Sequence, residues 1–125
     1  MRRGWKLISI GTMPIERGYP RRGEVWLVTL DPTVGSEIRK TRPAVVVSPD
    51  EMNGALSTAI VCPLTPRLRG WPTRIAVTFD GRDGEIAADQ IRAVDHRRLA
   101  TRLGTLSETD ARSLQERLVQ MFAFV

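Results

Sequence analysis

No stretch of this chain stays regular for long. From Gly23 to about residue 105, runs of strand-forming residues alternate with clusters of proline, glycine and aspartate. EVWLVTL (24–30) reads as a strand ended by the turn residues DPT (31–33). After a loop over 31–42, PAVVVS (43–48) is apolar throughout and is expected to be covered on both faces, with Pro43 at the first position, where a strand tolerates proline. PDEMNG (49–54) is a turn or a single helical turn. LSTAIVCPLT (56–65) is a longer strand closed by Pro63 and Pro66. PRLRGWPT (66–73) is a loop. RIAVTF (74–79) alternates as a strand does, and DGRDGE (80–85) reads as a hairpin turn. EIAADQIRAVD (85–95) supplies one or two short strands, and HRRLATRLG one helical turn followed by a short strand.

Only the end changes period. Ala111, Leu114, Leu118, Met121 and Phe122 fall on one face of a helix over about 108–123, with Ser107 as N-cap and Asp110 three residues on. Five to seven short strands followed by one helix predict a mainly β (α+β) fold, because short strands remove their edges by closing into a small barrel. The 125 residues suffice for one domain with its own core.

Charge divides the chain unevenly. Residues 1–22 hold six bases and one acid, whereas residues 23–125 hold thirteen of each. Residues 1–21 are therefore set apart as a basic, poorly ordered extension from a domain over 22–125, with Met13 as an alternative start. The opening MRRGWKLISIGTMP has the basic beginning of a signal peptide, but Ser9, Gly11 and Thr12 break its apolar run and no small-residue cleavage site follows. No apolar run approaches the roughly 20 residues of a spanning helix. The expected location is the cytoplasm, without membrane contact. The single Cys62, in an apolar run, excludes an internal disulfide and reads as a small buried hydrophobe.

Any polyanion site in the body must come from local clustering. Two loops qualify. One carries Glu37, Arg39, Lys40 and Arg42 directly before the second strand. The other carries Arg67, Arg69 and Arg74 around Trp71, just after Thr65 at the end of the third strand. Arginines on phosphate and a ring under a base are how a single-stranded nucleic acid is gripped. Each feature also has a plainer reading: Glu37 and Arg42 as a surface ion pair, Thr65 bonding its own turn, and Trp71 packing on an arginine of its own loop. His96 lies in a solvated charge run. Neither a histidine pair nor a carboxylate cluster suggests a metal, and no phosphate-binding or dinucleotide glycine pattern calls for a cofactor.

The blocks GEVWLVTLDPTVGSE, TRPAVVVSP, VCPLT and ADQIRAVD, in that order from about Arg22 to the last helix, resemble the MazF/PemK-like toxins of toxin–antitoxin pairs. The resemblance implies an SH3-like (CcdB/PemK-type) barrel with a C-terminal helix, usually a homodimer. It implies a metal-independent, sequence-specific endoribonuclease (mRNA interferase) acting on single-stranded RNA, restrained by an antitoxin with a flexible tail. Carried over by motif, the family's loop acid, arginine and strand-end threonine fall on Glu37, Arg42 and Thr65 as catalytic residues. Ser36, Arg39, Lys40, Thr41, Arg67, Asp89 and Gln90 are expected to contact RNA, with a structural role as the other reading for Asp89. Two positions depart from some relatives: Ser36 stands where a histidine occurs, and Ala87 where an arginine precedes the aspartate. Two alternatives share the barrel: a CcdB-like gyrase poison, which needs an exposed apolar C-terminal end such as Met121–Val125, and an inactive RNA-binding barrel.

Overall fold

A computed structural model describes residues 18–124. Seven strands, β1 (Glu24–Thr29), β2 (Thr41–Val46), β3 (Thr58–Thr65), β4 (Arg74–Phe79), β5 (Arg82–Ala87), β6 (Arg92–Asp95) and β7 (Leu99–Thr105), form one antiparallel sheet in the order β4-β5-β3-β2-β1-β7, with β6 also on β3. Helix α1 (Asp50–Ala55) joins β2 to β3, and helix α2 (Glu108–Phe122) ends the chain. Single 3-10 turns cover Ala88–Gln90 and His96–Arg98.

The sheet curls into a half-barrel because its central strands are apolar on both faces. On β2, Val45 joins a cluster with Val25, Cys62, Leu64, Ile75, Ile86 and Leu114; Ala44 and Val46 join a second with Val28, Leu30, Val61 and Val94. Helix α2 closes the first cluster through Leu114, Ala111, Leu118 and Met121. Its N-terminus is capped as expected, the Ser107 hydroxyl accepting the Asp110 N–H at 3.1 Å. Curling brings the outer strands together: an added Cβ on Gly104 of β7 would stand 3.2 Å from the Phe79 ring of β4.

Several boundaries differ from the sequence reading. Strand β2 starts at Thr41, not Pro43, because Thr41 and Arg42 already pair with Thr29 and Val28. The turn expected over 80–85 shrinks to Asp80 and Gly81, whose φ of 53° and 75° give a two-residue hairpin. Arg82–Glu85 instead extend the ladder with β4. Pro63 lies inside β3 rather than closing it. There β3 has finished pairing with β6 (through Val61) and has not begun pairing with β5 (from Leu64), so a missing N–H breaks no ladder on that side. Phe122, placed by periodicity on the buried face of α2, is 69% exposed, since Met121 beside it takes the inward position.

Residues 1–17 of the expected extension lie outside the described residues. Gly18–Arg21 do not stand apart from the body: Pro20 is buried and its carbonyl accepts from Asn53, and the Tyr19 ring packs over Gly54. Among the described residues, no helix is long and apolar enough to cross a membrane.

Candidate active site

Arg42 and Thr65 come from neighbouring strands. The ladder pairs Ala44 with Pro63; continuing it two residues toward the strand ends sets Arg42 opposite Thr65, with alternation placing both on the face of Ala44 and Val46. Both line a cavity of about 350 Å³. The Arg42 Nε donates to the Arg39 carbonyl at 3.2 Å. Among the described residues, its terminal nitrogens have no partner. Thr65 is buried, and its hydroxyl oxygen accepts the Arg67 N–H at 3.2 Å. That is the turn-bonding geometry of a strand-end threonine, and it leaves the hydroxyl proton for an outside acceptor.

Glu37 stands elsewhere. Its Oε1 accepts the Val34 N–H at 2.6 Å, and the side chain lines a hollow of about 420 Å³ with Ile38, Pro63, Asp89, Gln90 and Arg92. Among the described residues it makes no ion pair with Arg42. The hollow adjoins the cavity along β3: Pro63 lines one, and Thr65, two residues on, lines the other.

The loop bearing Glu37 is stitched in place. Arg98 donates to the carbonyls of Thr29 and Asp31, Arg92 to that of Leu30, and Asp31 accepts the Lys40 N–H at 3.0 Å. Lys40 is left-handed, with φ of 71°. Gln90 accepts the Ile38 N–H at 3.2 Å, so this expected RNA contact also tethers the loop. Ser36, Arg39, Lys40, Thr41 and Arg67 are exposed.

The second basic loop is assembled differently from its sequence reading. Arg74 does not face solvent: its side chain is 6% exposed, with the guanidinium 2.8 Å from Asp89 and 3.6 Å from Glu85. It is neutralised inside the fold, so Arg67 and Arg69 remain as that loop's solvent-facing bases. The expected base-stacking ring is also engaged, with the guanidinium carbons of Arg74 and Arg69 at 4.6 and 5.1 Å from the Trp71 centroid. Burial disfavours charge on Glu85, but N–H donors from Gly70 and Arg69 together with Arg74 outweigh it, and the carboxyl sits below its ordinary range. Asp89 is likewise lowered: burial is outweighed by hydrogen bonds from Arg74 and Thr73.

Glu85 went unremarked in the sequence because its partners are distant. The signal available was the hairpin register across Asp80-Gly81, which sets Glu85 on Ala76 and next to Thr65. Cys62 is inert, its thiol pushed up to about 12 by burial and by the nearby Asp89 charge. His96 bonds the Thr58 carbonyl. Among the described residues, no three histidine, cysteine or acidic side chains gather into a metal-binding group.

A half-barrel of short antiparallel strands with one C-terminal helix is the fold of a known class of toxins. The chain belongs to that class: residues 21–122 match the family described as PemK-like, MazF-like toxin of type II toxin–antitoxin systems. The endoribonuclease toxin MazF of Escherichia coli (strain K12) is 32% identical over 105 residues, covering 83% of this chain and 95% of its own. The crystal structure of MazF from Deinococcus radiodurans superposes with a TM-score of 0.78 at 27% identity, covering 86% of this chain and all of that one. A MazE–MazF structure from the same organism gives 0.67 at 28% identity, again covering 86% of this chain and all of that one.

Proposed function

We propose that this MazF/PemK-type endoribonuclease toxin cuts single-stranded RNA by attack of the 2′-OH on the adjoining phosphate, without a metal, leaving 2′,3′-cyclic phosphate and 5′-OH ends. The observation that carries the reading is Arg42 and Thr65 lining one cavity, the first with its terminal nitrogens and the second with its hydroxyl proton unpartnered among the described residues. As the 2′-oxygen bonds to phosphorus and the 5′-oxygen leaves, charge builds on the two remaining phosphoryl oxygens. A permanently charged planar fork and a hydroxyl donor are suited to hold them.

Glu37 takes the 2′-OH proton in this reading, which requires it to come from the adjoining hollow within hydrogen-bond reach of the hydroxyl beside the phosphate held by Arg42 and Thr65. The Glu37 anchor on Val34 leaves its second oxygen for that task. A guanidinium holds its proton too tightly to be a good acid, so water supplies the leaving-group proton. Ser36, Arg39, Lys40, Thr41 and Arg67, exposed around these openings, contact the strand, with Gln90 and Asp89 behind the Glu37 loop. The working form is a cytoplasmic homodimer held inactive by an antitoxin with a flexible tail. Support for the partner is the MazE-bound MazF from D. radiodurans.

The test is labelled single-stranded RNA incubated in excess EDTA. Cut product ending in cyclic phosphate is expected. Intact RNA that still shifts on a gel would make the chain a binding module instead.

A further inference from the structure

We propose that the cavity beside Arg42 and Thr65 is a base subsite for the nucleotide adjoining the cleaved phosphate, selecting a base that carries an exocyclic amino group. The inference rests on the RNA-cutting reading above and adds a specificity determinant to it.

The cavity has two chemically distinct parts. Pro43, Leu64, Val77, Phe79 and Leu103 supply apolar lining, while Asp80, Arg82 and Asp83 come from the β4–β5 hairpin, away from Arg42 and Thr65 in sequence. A volume of about 350 Å³ is at the small end of ligand sites, the scale of one nucleoside rather than a peptide segment. Every base offers a π-face, and an aromatic wall takes it whatever the sequence. The Phe79 ring is held for that purpose against Gly104, where a Cβ would stand only 3.2 Å away.

Selection then falls to the acids. Asp83 is oriented by the Thr78 hydroxyl, which donates to its Oδ1 at 2.7 Å. Among the described residues, none bonds Oδ2. Asp80 is set by the two-residue turn, with φ of 53°. Ionised carboxylates only accept, so they pair with the amino groups of cytosine, adenine or guanine, while the Arg82 guanidinium on the same hairpin donates to a neighbouring acceptor of that base. A base seated here has its phosphate directed to Arg42 and Thr65, which line the same space.

The test maps cleavage sites on a pool of randomised single-stranded RNA in EDTA, comparing the wild-type chain with Asp83→Asn and Leu103→Trp. Leu103 is 43% exposed at the mouth, so a larger ring fills the space without entering the core. Asp83→Asn is expected to lower the preference for an amino-bearing base at one position next to the cut by about tenfold or more, the scale of one base-specific hydrogen-bonded pair. Leu103→Trp is expected to slow cleavage of the preferred sequence about tenfold, with the folded state checked by circular dichroism. A wild-type chain that cuts, with variants whose site profile and rate match it, overturns the subsite and leaves the enzymatic reading standing. A wild-type chain that cuts nothing overturns both. A shift of Leu103→Trp from dimer to monomer in sedimentation assigns the cavity to a contact with a second copy and also overturns the subsite.

Discussion

At the residue scale, Arg42 is the group least replaceable by a near neighbour. Its Nε is committed to the Arg39 carbonyl, and among the described residues the two terminal nitrogens have no partner. Lysine carries the charge but not the fork. Arg42→Ala is expected to cut the cleavage rate at least about a hundredfold, the usual scale for losing one anion-stabilising donor. Near-full rate in the folded variant, measured on a fixed oligonucleotide, would remove Arg42 from the site. Gly84 lines the same cavity. A Cβ there would stand 2.7 Å from the Thr65 carbonyl oxygen, backbone that has no room to yield. Gly84→Ala is expected to cost about 1–3 kcal/mol, as overpacking does, and to slow cleavage by displacing Thr65. An unchanged urea midpoint would show that β5 shifts away freely.

Among the elements, the loop between β3 and β4 is the one held by charge. Glu85 accepts the Gly70 N–H at 2.8 Å, Arg74 bridges to Asp89, and Trp71 packs over Arg74. Glu85 Oε1 is buried without a hydrogen-bond partner, which makes the network dependent on its charge pairing. Both carboxyls titrate below their ordinary values when folded. Such groups contribute stability that is fully present above the ordinary carboxylate range, near pH 4, and lost as pH falls through the lower folded values. The wild-type melting temperature is therefore expected to drop more steeply below about pH 4.5 than that of Glu85→Gln, which has one fewer such group. At neutral pH the variant is expected to be less stable by about 1–3 kcal/mol, the cost of a lost buried polar partner. Parallel melting curves from pH 7 to 3 would exclude this network as the acid-sensitive part.

For the whole molecule, the useful boundary is where the chain begins to pack. Pro20 is buried, and Asn53 bonds its carbonyl at 3.1 Å. Removing residues 1–17 is expected to leave both melting temperature and cleavage largely intact. Removing 1–20 also strips Tyr19 from Gly54 and the Pro20 acceptor from Asn53, and is expected to lower the melting temperature by several degrees, about 1–2 kcal/mol in a domain of this size. Lost cleavage in a stable 18–125 chain would place the basic extension in the RNA groove.

Much of this architecture is legible residue by residue. EVWLVTL, PAVVVS and RIAVTF announce strands because alternation and β-branching are local properties, and Ser107 with the 3-4 spacing of Ala111, Leu114 and Leu118 announces the helix for the same reason. The RP-x-V-V-V and DPT-x-G-x-E blocks identify the family, and 21–122 match it. What periodicity does not encode is which segments meet. Arg74 and Arg69 look alike in the sequence, yet the first is neutralised in the interior by Asp89, fifteen residues on, and Glu85, eleven residues on, while the second is exposed. Arg42 and Thr65 line one cavity because β2 and β3 pair in one register, whereas Glu37, only five residues from Arg42, turns into a separate hollow with its loop. Residue order determines the elements through short-range sterics and hydrophobic spacing. Only long-range packing, which selects one strand register by burying two apolar clusters at once, decides which charges face water and which face one another.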